Sequence, residues 1–367
     1  MPYISPQRLT DVHVHYIVGS NRSGTTLLTT VLNANNEVLS TPEVRFTMAF
    51  WEQYGNQDPV SSNFAEDLNT YVQIIYKYVQ QARKMQLSLT DFDKDTYFNF
   101  DTEKLKQLNY ANLCKLLLFN IQLPNKNYDT IKTIVDKNPD YTFYIKQLLK
   151  IYPDAKILVA MRDYRAVVLS QKESIETGTG DIATQAYLWH IYNKEIHKLI
   201  KQYEGKIMPV YYEQMVQQPE LVVKQICSFL AIDFTPEMLN PQQKLSVKAQ
   251  DLQKSDISER DKKKIGDLIK PINTSRLEAW KQRLTPNEIT LIEHFCAQTG
   301  QKFGYQPTLQ ISASTHLKLN LRYLFRMMYI QISFTILTKY YFLLPFRLRI
   351  FLMNKISDSK FAFIILC

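Results

Sequence analysis

The stretch HVHYIVGSNRSGTTLL, His13 to Leu28, passes from an apolar run through a loop of glycine and hydroxyl residues into a segment of helical period. His13 to Val18 reads as a short β-strand, and Gly24 to Asn33 as a helix that opens directly after it. The chain has only 9 glycines in 367 residues, and two of them, Gly19 and Gly24, fall in this loop. A glycine loop between strand and helix turns successive backbone N–H groups toward one point, and the helix adds its positive end. Ser23, Thr25 and Thr26 supply hydroxyl donors, and Arg22 supplies a fork that spans two anionic oxygens. The spacing is that of a Walker A loop, but Thr25 stands where its lysine belongs. Without that lysine, the β/γ-phosphates of a nucleoside triphosphate lose their main partner.

Outward from this loop, strand-like and helix-like segments alternate. Val38–Ser40, Ile131–Val135, Lys156–Met161 (KILVAM) and Lys206–Tyr211 (KIMPVY) read as strands. Tyr141–Ile151, Asp181–Tyr203 and Pro219–Leu230 read as helices, the last with proline at its start. The alternation predicts an α/β fold, a central parallel sheet flanked by helices. In such sheets ligands sit beyond the carboxyl ends of the strands. The residues following the strands are the loop Gly19–Thr26, then Glu43 and Arg45, Asp136 and Lys137, Arg162, and Tyr212 with Glu213. Several cations, a well-placed carboxylate and a glycine loop at one edge predict an anion site.

NRSGTTLL after a strand resembles the 5′-phosphosulfate loop of sulfotransferases that use PAPS (3′-phosphoadenosine 5′-phosphosulfate). YPDAKILVAMRDYRAVVLSQ (Tyr152–Gln171) is similar to the same family's 3′-phosphate motif, with Arg162 at the strand end and Ser170 eight residues on. The resemblance runs from Tyr16 to about Pro307 and is strongest to protein-tyrosine sulfotransferases. VYYEQMVQQPE (Val210–Glu220) and IKPIN followed by Trp280 also look like that group. The resemblance implies a P-loop-like sulfotransferase fold, PAPS as donor with 3′,5′-ADP as product, and no metal. It places Glu43 on the catalytic glutamate, Arg45 on an arginine of the acceptor site and Lys137, in DKNP, on the catalytic lysine. Tyr212 matches a cofactor-contacting tyrosine, and the stretch through Lys270 and Asn273 matches a loop closing over the nucleotide. The family's transition-state serine falls on Lys264, an additional arginine on Ser174, and one disulfide cysteine of the lumenal enzymes on Ser40.

Moving a sulfuryl group to a hydroxyl is an in-line displacement, in which positioning and charge stabilisation do most of the work. The acceptor needs a general base, and Glu43 is the candidate; Lys137 and Arg22 suit the oxygen that leaves with charge. Arg162, next to a buried strand, needs an anionic ligand or a structural partner such as Asp163. Two rival readings are a P-loop kinase-like phosphotransferase and a non-catalytic membrane adaptor that keeps the fold. The six histidines show no metal-ligand grouping. DFDKDTYFNFD (Asp91–Asp101) partly matches a calcium loop, but Thr96 replaces its glycine and Thr102 stands at position twelve.

The net charge is +9, and +7 of it lies in Ile311–Cys367, which leaves +2 for the first 310 residues. Nucleic acid is therefore not the expected partner. Residues 1–310 are expected to form the sulfotransferase domain, with 51–128 a helical insertion on the acceptor side. Lys77, Arg83 and Lys84 of that insertion, with Arg45, are candidate contacts for an acidic peptide. Residues 311–367 form a basic, apolar tail whose longest uncharged run, Met327–Thr338, is too short to span a bilayer. Cations among Phe, Leu, Ile and Tyr fit helices lying in an anionic membrane interface. The four cysteines form no CxxC pair, and the N-terminus has no basic-then-apolar leader, which together predict a reducing cytoplasm with peripheral attachment to the inner face of the membrane. The expected partners are a hydroxyl-bearing acceptor (peptide, glycan, lipid or small phenol), a membrane surface and, at most, a second copy in a homodimer.

Overall fold

The structure, a computed structural model, describes residues 6–41, 43, 45–61, 63–71, 108–119, 126–173, 181–243, 271–340, 343–345 and 347–349. Lys77, Arg83, Lys84, Asp91–Asp101, Ser174, Lys264, Lys270 and residues 350–367 lie outside them.

Five strands, β1 (His13–Gly19), β2 (Val38–Thr41), β3 (Thr133–Lys137), β4 (Ile157–Met161) and β5 (Ile207–Tyr211), form one sheet in the order β2-β3-β1-β4-β5. Every pairing is parallel. Helices α1 (Pro6–Asp11), α2 (Thr25–Asn33), α3 (Phe46–Ala49), α4 (Trp51–Tyr54), α5 (Tyr110–Phe119), α6 (Ile145–Ile151) and α7 (Tyr164–Lys172) come first. They are followed by α8 (Ile182–Gln202), α9 (Tyr212–Gln217), α10 (Pro219–Leu230), α11 (Ala279–Arg283), α12 (Pro286–Gln301) and α13 (Ala313–Thr335).

Side chains of β1 alternate between two buried faces, as a parallel sheet requires. Tyr16 and Val18 join Ile134, Val159 and Met161 in one cluster, which Phe46, Phe50, Trp51, Leu113, Leu117 and Ile196 complete. Ile17, Val135, Leu158 and Ala160 face the other way, against Leu28 and Leu32 of α2 and Val223 and Ile226 of α10. A third core joins α7, α8, α11 and α12 around Trp189 and Trp280. The described parts of the segment after β2 are thus core: α3, α4 and α5 cover one face of the sheet.

β3 is shifted by two residues from expectation, starting at Thr133 and not Ile131, while the other strands differ by one residue at one end. β3 does not stop at Val135 but runs on through Asp136 and Lys137, paired to Tyr16 and Ile17 of β1. Two charged residues stay in a central strand because each is paired: Asp136 with buried hydrogen-bond donors and Lys137 with a half-buried carboxylate, both described below. The expected helix from Tyr141 also divides, into a 3₁₀ segment Pro139–Tyr144 and α6.

At the end of β1, Gly19 has φ 138°, and a Cβ there would lie 2.6 Å from the Ala160 carbonyl oxygen. Glycine lets β1 pass close to β4 as the chain turns into the loop.

Candidate active site

Because the strands are parallel, their carboxyl ends share one edge, and strand order sets the order of groups along it. Glu43 and Arg45 follow β2, Lys137 ends β3, the glycine loop follows β1, Arg162 follows β4, and Tyr212 follows β5. An acid–lysine pair therefore lies on one side of the loop, and an arginine–tyrosine pair on the other. Strands β3 and β4 stand two spacings apart, about 10 Å.

On the first side, Lys137 Nζ lies 2.7 Å from Glu43 Oε1. Lys137 is 1% exposed, whereas the Glu43 side chain is 23% exposed, so the carboxylate is the member that opens outward. Arg45 pairs with Asp140, which also accepts from the Tyr192 hydroxyl. Behind both sits Asp136, wholly buried. Its carboxylate accepts from Thr41 Oγ1 (3.3 Å), Thr47 Oγ1 (3.1 Å) and Asn138 Nδ2 (2.6 Å). Burial pushes the Asp136 carboxyl up to about 7, while these donors and Lys137 pull it down. Thr41 and Thr47 bracket the segment that carries Glu43 and Arg45, and Asn138 follows Lys137. One carboxylate thus ties the Glu43–Arg45 segment and the end of β3 together at the sheet end.

In the loop, Ser23 and Thr25 are buried and Thr26 is exposed. Ser20 and Ser23 hydroxyls share a 2.6 Å bond, and the Gly19 amide donates to Thr142 Oγ1 at 3.2 Å. Gly24 is the N-cap of α2 at φ 101° and has no capping side chain. The first amides of a helix have no intrahelical acceptor, so such a cap leaves them to a ligand. Arg22 takes φ 69°, and its Nε donates to Ser170 Oγ at 3.0 Å, which joins the loop to the serine of the second motif.

Arg162 is 8% exposed. Nη1 donates to the Arg22 carbonyl (3.2 Å) and Nη2 to the Arg276 carbonyl (3.3 Å), and the Tyr212 ring lies 4.0 Å from the guanidinium carbon. Its Nε is buried with no hydrogen-bond partner among the described residues, and desolvation pushes the group's pKa down. Asp163 is not its partner: that carboxylate is taken by Arg165, which also meets buried Glu293 at 3.1 Å. Asn273 sits in the segment whose Arg276 carbonyl meets Arg162, and its side chain bonds the Pro271 carbonyl and the Ser275 amide.

Glu43, Arg45 and Lys137 are therefore gathered on one side, and Arg22, Ser170, Arg162, Tyr212 and the Asn273 segment on the other, with Ser23–Thr26 between. Sequence reading missed the hub role of Asp136 and the Asp140–Tyr192 support of Arg45. The DKNPD run contained two of these acids, but nothing along the chain marks Tyr192, midway along a long amphipathic helix.

The edge defines a class of proteins that clamp an anionic group on a glycine loop and hold a carboxylate and a lysine beside it. A sulfotransferase family model matches residues 16–236, and the chain belongs to that family. Protein-tyrosine sulfotransferase A of Caenorhabditis elegans is 29% identical over 192 residues, 51% of this chain and 45% of that protein. Protein-tyrosine sulfotransferase 1 of Danio rerio is 23% identical over 307 residues, 81% of this chain and 73% of the relative. Two further relatives, from Caenorhabditis briggsae and Caenorhabditis elegans, are spanned over 57% and 61% of their lengths. Among solved structures, the sulfotransferase domain from the Synechococcus PCC 7002 olefin synthase aligns at 19% identity and TM-score 0.47, over 78% of this chain and 95% of that one.

Proposed function

We propose that the protein transfers the sulfuryl group of PAPS to an acceptor hydroxyl, with Glu43 as general base and protein tyrosine as the favoured acceptor. The observation that carries the reading is the arrangement along one sheet edge: an anion-binding loop with Glu43–Lys137 on one side and Arg162–Tyr212 on the other. Two local features fit a nucleotide carrying phosphate at both ends. Arg162 keeps a buried Nε with no partner among the described residues, a cost that an anion offsets. The uncapped N-terminus of α2 offers amide donors.

PAPS, when bound, supplies the sulfuryl group and a stable nucleotide leaving group. The residues of this chain do the rest. The amides of Ser23–Thr26 hold the 5′ end, while Arg162 and Ser170 hold the 3′-phosphate; Tyr212 and Asn273 line the nucleotide, a role that the family resemblance extends to Lys270. Glu43, the more open member of its ion pair, accepts the proton of the acceptor hydroxyl. Lys137, a compact buried charge, holds negative charge on the departing oxygen, and Arg22 supplies a second cation from across the loop. Arg45, fixed by Asp140, faces the acceptor. Protein tyrosine is favoured because the relatives above are named as protein-tyrosine sulfotransferases.

Transfer of sulfur-radiolabelled PAPS to tyrosine peptides, run beside calorimetry with 3′,5′-ADP, tests the reading. Glu43→Gln keeps 3′,5′-ADP binding and loses about 10²–10⁴-fold in transfer rate. Wild-type transfer by that variant refutes Glu43 as base. Binding of ATP with magnesium as tight as that of 3′,5′-ADP refutes the PAPS assignment.

A further inference from the structure

Among the described residues, helix α13 packs on the domain through one of its sides. Phe334 stacks edge-on 4.7 Å from Phe143 and 5.7 Å from Tyr192. Arg326 pairs with Asp181 at 3.1 Å, His316 Nδ1 lies 2.7 Å from His294 Nδ1, and Met327 is buried. The opposite side carries Leu317, Leu321, Leu324, Phe325, Met328 and Ile332, at helical spacing, with exposures from 46% to 82%. At 100° per residue these six form one stripe, and Lys318 and Arg322, both exposed, lie along one flank of it. Exposed Leu343, Arg347 and Leu348 continue the same composition beyond the helix.

A contiguous apolar stripe of this size in water marks a docking surface. Charge decides between occupants. Pairing two copies through this face brings the exposed Lys318 and Arg322 of each against the like charges of the other. An anionic bilayer accepts the apolar stripe and is attracted by the same cations. Among the described residues no helix is long and apolar enough to cross a membrane. A lipid surface is therefore met side-on.

We propose that α13 is an interfacial helix that seats the protein on an anionic membrane, its stripe at the acyl boundary and Lys318 and Arg322 among the headgroups. Through Phe334 on Tyr192, whose hydroxyl bonds Asp140, the partner of Arg45, the helix is linked to the side of the sheet edge that carries Glu43. Bilayer contact and the proposed acceptor side of the sheet edge thus share one support.

The full chain is tested by flotation with vesicles of phosphatidylcholine alone and of phosphatidylcholine with phosphatidylserine. Wild type floats with the anionic vesicles and far less with the neutral ones. The double variant Lys318→Gln, Arg322→Gln lowers anionic partitioning about thirtyfold. Leu321→Glu with Phe325→Glu abolishes it, and both variants keep the wild-type thermal melt because the altered side chains are exposed. Undiminished flotation of the variants overturns the proposal and moves lipid contact elsewhere. Failure of wild type to float with either vesicle also overturns it; a dimer split by Phe325→Glu would then make the stripe a self-interface.

Discussion

Gly24→Ala probes the joint between the two halves of the anion site. The backbone there has φ 101° and ψ 12°, where a side chain costs about 1–2 kcal/mol. A Cβ would also lie 2.9 Å from Tyr212 Cδ2, against an ordinary carbon–carbon contact of about 3.5–4.0 Å. Either ring or loop must shift by roughly half an ångström or more to restore that contact. The ring cannot move freely, since it lies 4.0 Å from the Arg162 guanidinium. Loosening a desolvated cation–π contact costs about 1–2 kcal/mol. The expected result is a protein about 1–2 kcal/mol less stable in urea denaturation. Its 3′,5′-ADP affinity in calorimetry should fall roughly 5–30-fold. Making the same change in a Tyr212→Ala background isolates the route. With the ring gone, Gly24→Ala should cost stability but add little to the loss of affinity. Unchanged 3′,5′-ADP affinity for Gly24→Ala, or a full additional loss on top of Tyr212→Ala, refutes the reasoning that one ring couples the loop to the arginine.

Two other outcomes follow from named contacts. Lys137→Met keeps most of the buried stem and removes the charge 2.7 Å from Glu43; turnover should fall about 10²–10³-fold, and a rate within tenfold of wild type removes Lys137 from the chemistry. Buried His15 accepts from the Lys156 amide through Nδ1 and bonds the Leu230 carbonyl through Nε2, so it is held neutral, with its pKa lowered from 6.5 to about 4 by burial. A histidine with a depressed folded-state pKa stabilises fully above the unfolded value and loses that contribution as pH falls from 6.5 toward 4. The stability difference between wild type and His15→Gln should shrink by about 2 kcal/mol from pH 8 to pH 5. Comparing the two proteins cancels the opposite slope of Asp136, and a pH-independent difference refutes the neutral-histidine assignment.

The strands were legible because each is an apolar run followed by polar residues, and parallel pairing sends all those followers to one edge. The same logic misplaced the end of β3. Asp136 and Lys137 look like loop residues until their partners are known, and Thr41, Thr47 and Glu43 lie about ninety residues away in the chain. Arg162 stood out as a cation beside a buried strand, yet its true surroundings, the Tyr212 ring and two backbone carbonyls, come from three distant segments. Asp163, its neighbour in sequence, looked like the natural partner. It instead caps α7 and pairs with Arg165, because a helix N-cap directs its side chain back toward its own first turn. Local pattern thus located the groups that a strand end delivers, and was blind to those that cross the chain.

The match to the family model ends at residue 236, but the site does not. Beyond that point the Arg276 carbonyl accepts from Arg162, Trp280 lies 4.2 Å from the Arg165 guanidinium, buried Glu293 pairs with Arg165, and the Tyr305 hydroxyl donates to Glu213 at 3.1 Å. Glu213 in turn accepts from the Asp163 amide, directly after Arg162. Without these segments Arg165 would lose one of its buried carboxylates and an aromatic cover, and removing one side of such a pairing costs more than the pairing contributes. The turn that aims Arg162 is therefore held from behind by residues far outside the glycine loop. The proposed anion site thus depends on the fold through Tyr305, and a chain cut at the end of the family match would keep the loop while losing the contacts that hold Arg162 toward it.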